Sequence, residues 1–463
     1  MEKASQWLKE CSVYHKRCNL LERSVLPDRI LDIYSSSDTL FLREPNNIRD
    51  RYTCLSYCWG SAEFISTTKG NISSHKIGIP LQSLPQTFRD AIWVSRSLNV
   101  RYIWIDALCI IQDDIEDWNT QSQKMAAIFS NSYLTISAIA SKDPHSGCFA
   151  EASSISLGVV SGRCYTHLPP GSDFAPPDMP LLRRGWVLQE ALLSPRILHF
   201  GPAELIWECA EVRLCQCGQA THFLDEIRKS SFYDSLIAKN PILLTELPKL
   251  WRRILIQYSP LLLTKSSDKL FAIAGIAKLM RDCRGSDYLA GLWRDSFALD
   301  MLWTARVPSP SSPKLMKRAP SWSWASVDGP IKYNQPLYLQ QPVEPIIHCK
   351  LLHAEINMEG KKVAGIAKVE CSKMKIWSFR KGEERKSLQD RLWEFGFYFH
   401  PDRDQFPDGD FYVLRIARVL TDEAVVVRSL DSACSEYKRV GRATRAGGFP
   451  DLIWPRVEVI TIS

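Results

Sequence analysis

RYIWIDALCIIQDDIEDW, residues 101–118, is the stretch that decides the fold. Its first five residues, Arg101-Tyr-Ile-Trp-Ile105, have the length and the aromatic and β-branched content of a buried strand, and the run stops at Asp106. Asp113 and Asp114 then favour a helix start through the dipole, and Ile115, Trp118, Met125 and Phe129 give that helix an apolar stripe. A strand feeding a helix predicts an α/β unit with a parallel sheet, in which ligands bind at the carboxyl ends of the strands. Asp106 stands at such an end.

The same alternation extends on both sides. Upstream, Tyr52-Thr-Cys-Leu-Ser-Tyr-Cys-Trp59 reads as a buried strand opening into a loop at Gly60, and Ser83-Leu-Pro85 starts a helix over about 84–98 with Phe88, Ala91, Ile92 and Leu98 on one face. Downstream, Ser132 to Ala138 reads as a third strand. Residues 161–182, with Pro169, Pro170, Pro176, Pro177 and Pro180, read as a long irregular excursion. Arg183 to Leu193 is a short helical stretch, followed by strand-like runs at Arg196–Phe200 and Glu204–Cys209 about a Gly201-Pro202 turn.

The expected organisation is a leader over 1–50 that covers the domain, an α/β domain over 51–209, a mostly helical region over 210–307, a Pro/Ser linker over 308–318 and a β-rich C-terminal region over 319–463. Within the leader, an amphipathic piece around Trp7–Leu20 precedes strand-like runs at Arg29–Ile33 and Leu40–Leu42. The helical region includes a helix around Lys269–Met280 and a helix-like spacing at Leu289, Leu292, Trp293 and Phe297. Beyond the linker, Ser321-Trp-Ser-Trp-Ala325 alternates in strand fashion and the tail from about 331 reads as short strands.

Composition excludes several classes. The 463 residues are 45% hydrophobic and 24% charged, as in folded globular proteins. The 58 basic and 51 acidic residues give +7, without a like-charge block; the longest mixed run, Arg380–Lys386, alternates sign, so nucleic acid is not implied. No apolar stretch reaches 18 residues and the N-terminus lacks a signal-type apolar core, which argues for a cytoplasmic protein without a membrane span. No Gly-x-x-x-x-Gly-Lys-Ser/Thr loop occurs. The 15 Trp read mainly as core, with a minority available to stack on a flat ligand.

The 14 Cys read as reduced buried thiols, so no metal is assigned. A tetrahedral zinc set stays open as the alternative: Cys11-x-x-x-His15-x-x-Cys18 could be completed by Cys209, Cys215 or Cys217 if the leader folds beside the 204–209 strand, although the spacing matches no common finger. A Ser56, His199, Asp106 hydrolase set has the residue types but no Gly-x-Ser-x-Gly elbow.

Several strings together resemble the fungal heterokaryon incompatibility (HET) domain: YTCLSYCWG (52–60), RYIWIDALCIIQDDIEDW (101–118), MAAIFSNSYLTISA (125–138) and RGWVLQEALLSPRILHFG (184–201). DKLFAIAGIA (268–277) and APSWSWASVDG (319–329) are similar to the C-terminal halves of such proteins. The resemblance implies a fungal self/non-self recognition protein that triggers cell death. HET domains are in turn remotely similar to Toll/interleukin-1 receptor (TIR) domains, whose pattern Leu55-Ser56-Tyr57, Ile105-Asp106, Ile136-Ser137 and Trp186-Val-Leu-Gln-Glu190 follow in order. The Pro-rich insert before Trp186 is longer than that pattern.

Enzymatic TIR domains need the Glu of W-x-x-x-E to cleave the nicotinamide–ribose bond of NAD. By that resemblance Glu190 is the expected catalytic residue, and Ser56, Trp59, Asp106 and Trp186 line the substrate site, with NAD as substrate and no cofactor. One carboxylate suffices because nicotinamide leaves neutral and needs no proton, while the oxocarbenium-like ribose needs a negative charge beside it. The alternative is a non-catalytic HET module that signals by protein contacts, with other incompatibility proteins or with itself, and in which Glu190 is structural. A toxic effector must be quiet at rest, so deleting 210–463 is expected to raise activity if the remainder stays folded.

Overall fold

The computed structural model describes residues 1–18, 23–149, 179–202, 204–216, 229–237, 241–307, 318–333, 345–359, 362–379, 389, 392, 397–403, 409–418, 422–431, 435–445 and 454–463. Most of the Pro-rich excursion, the Pro308–Pro313 run, the 380–386 charge run and Cys217 lie outside the described residues. The chain divides into two compact units, Met1–Leu244 with Phe271–Met280, and Thr245–Leu270 with Arg281–Ser463.

The first unit is α/β and is built on a helix, α1 (Glu2–Tyr14), and a sheet whose main strands are β1 (Ile30–Asp32), β2 (Thr39–Arg43), β3 (Tyr52–Ser56), β4 (Tyr102–Trp104), β5 (Leu134–Ser137), β6 (Arg196–Phe200), β7 (Leu205–Cys209) and β8 (Arg213–Cys215). Among the described residues the order is β8-β7-β6-β5-β3-β4-β1-β2, with Ile79–Pro80 added beside β2. The four central strands, β6-β5-β3-β4, run parallel and the flanking ones antiparallel. Every residue of β3, β4 and β5 is buried, as expected of parallel strands covered on both faces. The leader therefore does more than lie over the domain, since β1 and β2 extend its sheet.

Three helices connect the parallel strands: α2 (Gln86–Ser97), α3 (Ile115–Ser130) and α4 (Gly185–Leu193). The Asp114 carboxylate caps α3 by accepting from the amides of Glu116 and Asp117. Because β4 lies on one side of β3 and β5 on the other, right-handed crossovers put α2 and α3 on opposite faces. The pleat of β3 confirms it. The Thr53 hydroxyl meets Ser95 Oγ of α2 at 2.7 Å, whereas Tyr52 Oη donates to the Ile128 carbonyl of α3 at 2.6 Å. Alternate β3 side chains thus face different helices, and Ser56 shares the α3 face with Tyr52 and Cys54.

Helices α5 (Lys229–Ile237), α6 (Pro241–Tyr258) and α7 (Ala274–Arg284) follow. Two local expectations fail here. The Leu289–Phe297 spacing is not one helix: Tyr288–Leu289 and Leu292–Trp293 form a hairpin, turned by Ala290 (φ 44°) and Gly291 (φ 104°), before a short helix at Phe297–Asp300. The indoles of Trp251 and Trp324 both donate to the Gly291 carbonyl, at 2.9 and 3.1 Å, so the turn is fixed by core tryptophans. Likewise Ser321–Ala325 is no strand. It leads into a 3-10 turn at Trp324–Ser326, capped by the Ser323 hydroxyl, with Trp322 and Trp324 both fully buried.

In the second unit the strands from Lys350 onward are longer than the short ones expected: Lys350–Glu359 has 10 residues and Lys362–Phe379 has 18. The latter pairs along its first part with Val457–Ile462 and along its second with Gly409–Arg418. The sheet therefore closes on itself through Asp422–Ser429 and Glu436–Arg445, with Ile346–Ile347 and Lys350–Glu359 at the ends of its strand order.

Candidate functional site

The strand order reverses between β3 and β5, because the chain leaves β3 toward β4 and returns across it to β5. Their carboxyl ends form the topological switch point where open α/β sheets bind ligands. Ser56 and Ser137 are register partners there and both are buried. Helix α4 delivers Glu190 to the same place, anchored by Ser194, whose hydroxyl donates to the Glu190 carbonyl and also meets Thr135 Oγ1 of β5, each at 2.7 Å. Ser56 Oγ donates a very short hydrogen bond to Glu190 Oε2.

Glu190 is only 8% exposed. Burial pushes its carboxyl up to about 7, the neighbouring Asp106 charge adds to the rise, and the Ser56 hydroxyl and Arg184 guanidinium oppose it. The group is therefore poised near neutrality, where perturbed acids cluster at working sites.

Asp106 stands one residue beyond Ile105, at the end of β4. It accepts from Tyr57 Oη at 2.8 Å, from Trp59 Nε1 at 2.7 Å and from the Ala107 amide at 2.7 Å. Burial raises this carboxyl too, against the pull of those donors and of Arg184. Trp59 is half-buried, with its ring edge-on to Phe64 at 5.3 Å. Arg184 precedes the first residue of α4 and donates to the Tyr57 carbonyl, and its charge favours the ionised form of both carboxyl groups.

Of the residues expected from sequence, Glu190 and Ser56 are in direct contact, and Asp106 with Trp59 forms the adjoining cluster. Trp186 lies half-buried one turn before Glu190, on the same side of α4. Two participants were not expected: Tyr57, which reaches Asp106 from the α2 face of its strand, and Arg184. The signal for Arg184 was the basic pair directly before the helix; for Tyr57 it was strand alternation. The hydrolase set is not assembled, since Ser56 serves Glu190, Asp106 serves Tyr57 and Trp59, and His199 Nε2 faces Glu208 at 3.4 Å.

Of the thiols and imidazoles weighed as metal ligands, Cys11, His15, Cys18 and Cys209 converge. Cys215 sits on β8 opposite Ile206. No described helix is long and apolar enough to cross a membrane.

No curated protein and no solved structure matches this chain. A family model does: residues 52–190 match the one described as Heterokaryon incompatibility protein (HET). That span begins with the strand carrying Ser56 and ends on Glu190 itself, so the stretch from the first central strand to the buried acid is a HET domain.

Proposed function

We propose that the protein is a cytoplasmic cell-death effector of fungal heterokaryon incompatibility, and that its HET domain is TIR-like and cleaves NAD. The observation that carries this reading is a buried carboxyl, Glu190, tuned to about 7 and held by Ser56 at the switch point among the parallel strands of a mixed sheet. In the reaction the bond between C1′ of ribose and the nicotinamide nitrogen breaks, and its electron pair leaves with neutral nicotinamide. The ionised Glu190 stabilises the positive ribose, water adds at C1′, and ADP-ribose and a proton result. Trp59 or Trp186 supplies a flat surface for the bound nucleotide, and Asp106 a polar contact.

The test is nicotinamide release from NAD by the purified chain, full length and artificially clustered, beside Glu190→Gln prepared identically. Release by wild type with a drop of about 100-fold or more in the variant supports the enzyme; undiminished release by the variant sinks the assignment of Glu190. A second reading rests on the same hydrogen bond. Because Glu190 ties α4 to β3, it also suits a brace in a non-catalytic domain that signals through contacts with itself or with other incompatibility proteins. Silence from every folded, clustered form, with cell killing retained in Glu190→Gln, selects that module.

A further inference from the structure

We propose that Cys11, His15, Cys18 and Cys209 bind one structural zinc ion that fastens the N-terminal helix to the sheet of the first unit. This inference is independent of Glu190 and of any reaction there. Cys11 lies in the last turn of α1 and His15 directly follows that helix, four residues on and therefore on the same side. The His15 amide donates to the Cys11 carbonyl at 3.1 Å and the Cys18 amide to the His15 carbonyl at 3.2 Å, which turns the chain back and brings the third ligand to the other two. Cys209 is the last residue of β7 and arrives from the sheet.

The four ligand atoms all lie within 4.8 Å of one another. A tetrahedral zinc with thiolate and imidazole bonds of about 2.0–2.3 Å sets its ligand atoms roughly 3.5 Å apart, and Cys209 Sγ to His15 Nδ1 is already 3.4 Å. Small side-chain rotations close the remaining gap.

The surroundings are those of bound thiolates. Arg196 Nε points at Cys11 Sγ from 3.3 Å and the Val212 amide at Cys209 Sγ from 3.4 Å. Donors of this kind orient metal ligands and offset their charge. Zinc with three thiolates carries one net negative charge, and Arg196 and Lys229, each 2% exposed, flank the set. The Arg196 fork also donates to the Cys18 carbonyl at 2.8 Å, so it holds the turn as well. A disulfide would use two of the three thiols and leave the third beside an imidazole without purpose. Three sulfurs and one nitrogen with no open position suit zinc in a closed structural site, not a hard cation.

Elemental analysis of the full chain, purified without chelator, should find about one zinc per molecule. Cys209→Ser should lower that content about tenfold or more, while Cys215→Ser leaves it unchanged. Cobalt added to reduced, metal-free wild type should give the absorption of a tetrahedral thiolate site, saturating at one equivalent. This arm does not depend on a variant that folds. The proposal is overturned by wild type that holds no zinc and shows no such cobalt spectrum, by zinc that survives Cys209→Ser, or by a disulfide mapped among Cys11, Cys18 and Cys209.

Discussion

Glu190 holds its proton until about pH 7, against an ordinary glutamate value of 4.5, and that difference couples folding to pH. Between those values the folded chain binds more protons than the unfolded one, so this group's contribution is present below about 4.5 and is lost as pH rises through 7. At pH 8 the ionised carboxylate costs about 3 kcal/mol relative to an unshifted group. Glu190→Gln keeps a carbonyl to accept from Ser56 and loses the charge. It should therefore unfold at higher denaturant than wild type at pH 8 and lose most of that advantage at pH 5, as read by chemical unfolding. Under the proposed reaction, activity should move the other way: that reaction uses the ionised acid, so nicotinamide release should rise with pH through about 7. Ser56 donates to the charged form and holds the value down, so Ser56→Ala should shift the rising limb of that profile to higher pH. An unmoved limb would separate Ser56 from the titration.

Elements meet at two places where a single side chain decides the fit. Gly275, in the DKLFAIAGIA string, has its amide 2.7 Å from Gln189 Oε1, and a Cβ there would lie 2.6 Å from the same oxygen and collide with Ala126. Gly275→Ala should destabilise the first unit by about 1–3 kcal/mol and disturb α4 one residue from Glu190, measurable by unfolding and by NAD turnover together. Arg29 binds the Cys109 carbonyl at 2.7 Å and Asp117 at 2.6 Å, with both side chains largely buried. Arg29→Met leaves that carboxylate uncompensated and should cost about 3–5 kcal/mol in the same unfolding measurement. The strands and helices of the HET domain were legible because length, β-branched content and caps such as Asp114 agree with one another there. Legibility failed at 288–297, where a three- and four-residue spacing also fits a hairpin whose turn is held by distant tryptophans, and at 321–325, where alternation reflects a capped turn inside a core. The Glu190 site was readable as residue types in order. Its wiring through Tyr57 and Arg184 was not, since both contacts depend on which face of the sheet each element occupies.

Across the whole molecule, the boundary at residue 210 expected for a releasable domain does not coincide with a compact unit. The unit that contains Glu190 also holds β8, α5 and residues 271–280, so a chain cut to 1–209 loses parts of its own core. Its circular dichroism melt should lack the cooperative transition of the full chain; a sharp melt together with raised NAD cleavage would instead support autoinhibition by the deleted half. The short hydrogen bond between β3 and α4 has one more consequence, which concerns synthesis. Ser56 and Glu190 are 134 residues apart, and at about 5–20 residues per second a ribosome needs roughly 7–27 seconds to pass from one to the other. A nascent or prematurely terminated product that ends between residues 56 and 189 carries the serine and lacks the acid. Under the proposed NAD cleavage, the chain therefore lacks its reactive acid until synthesis has passed residue 190.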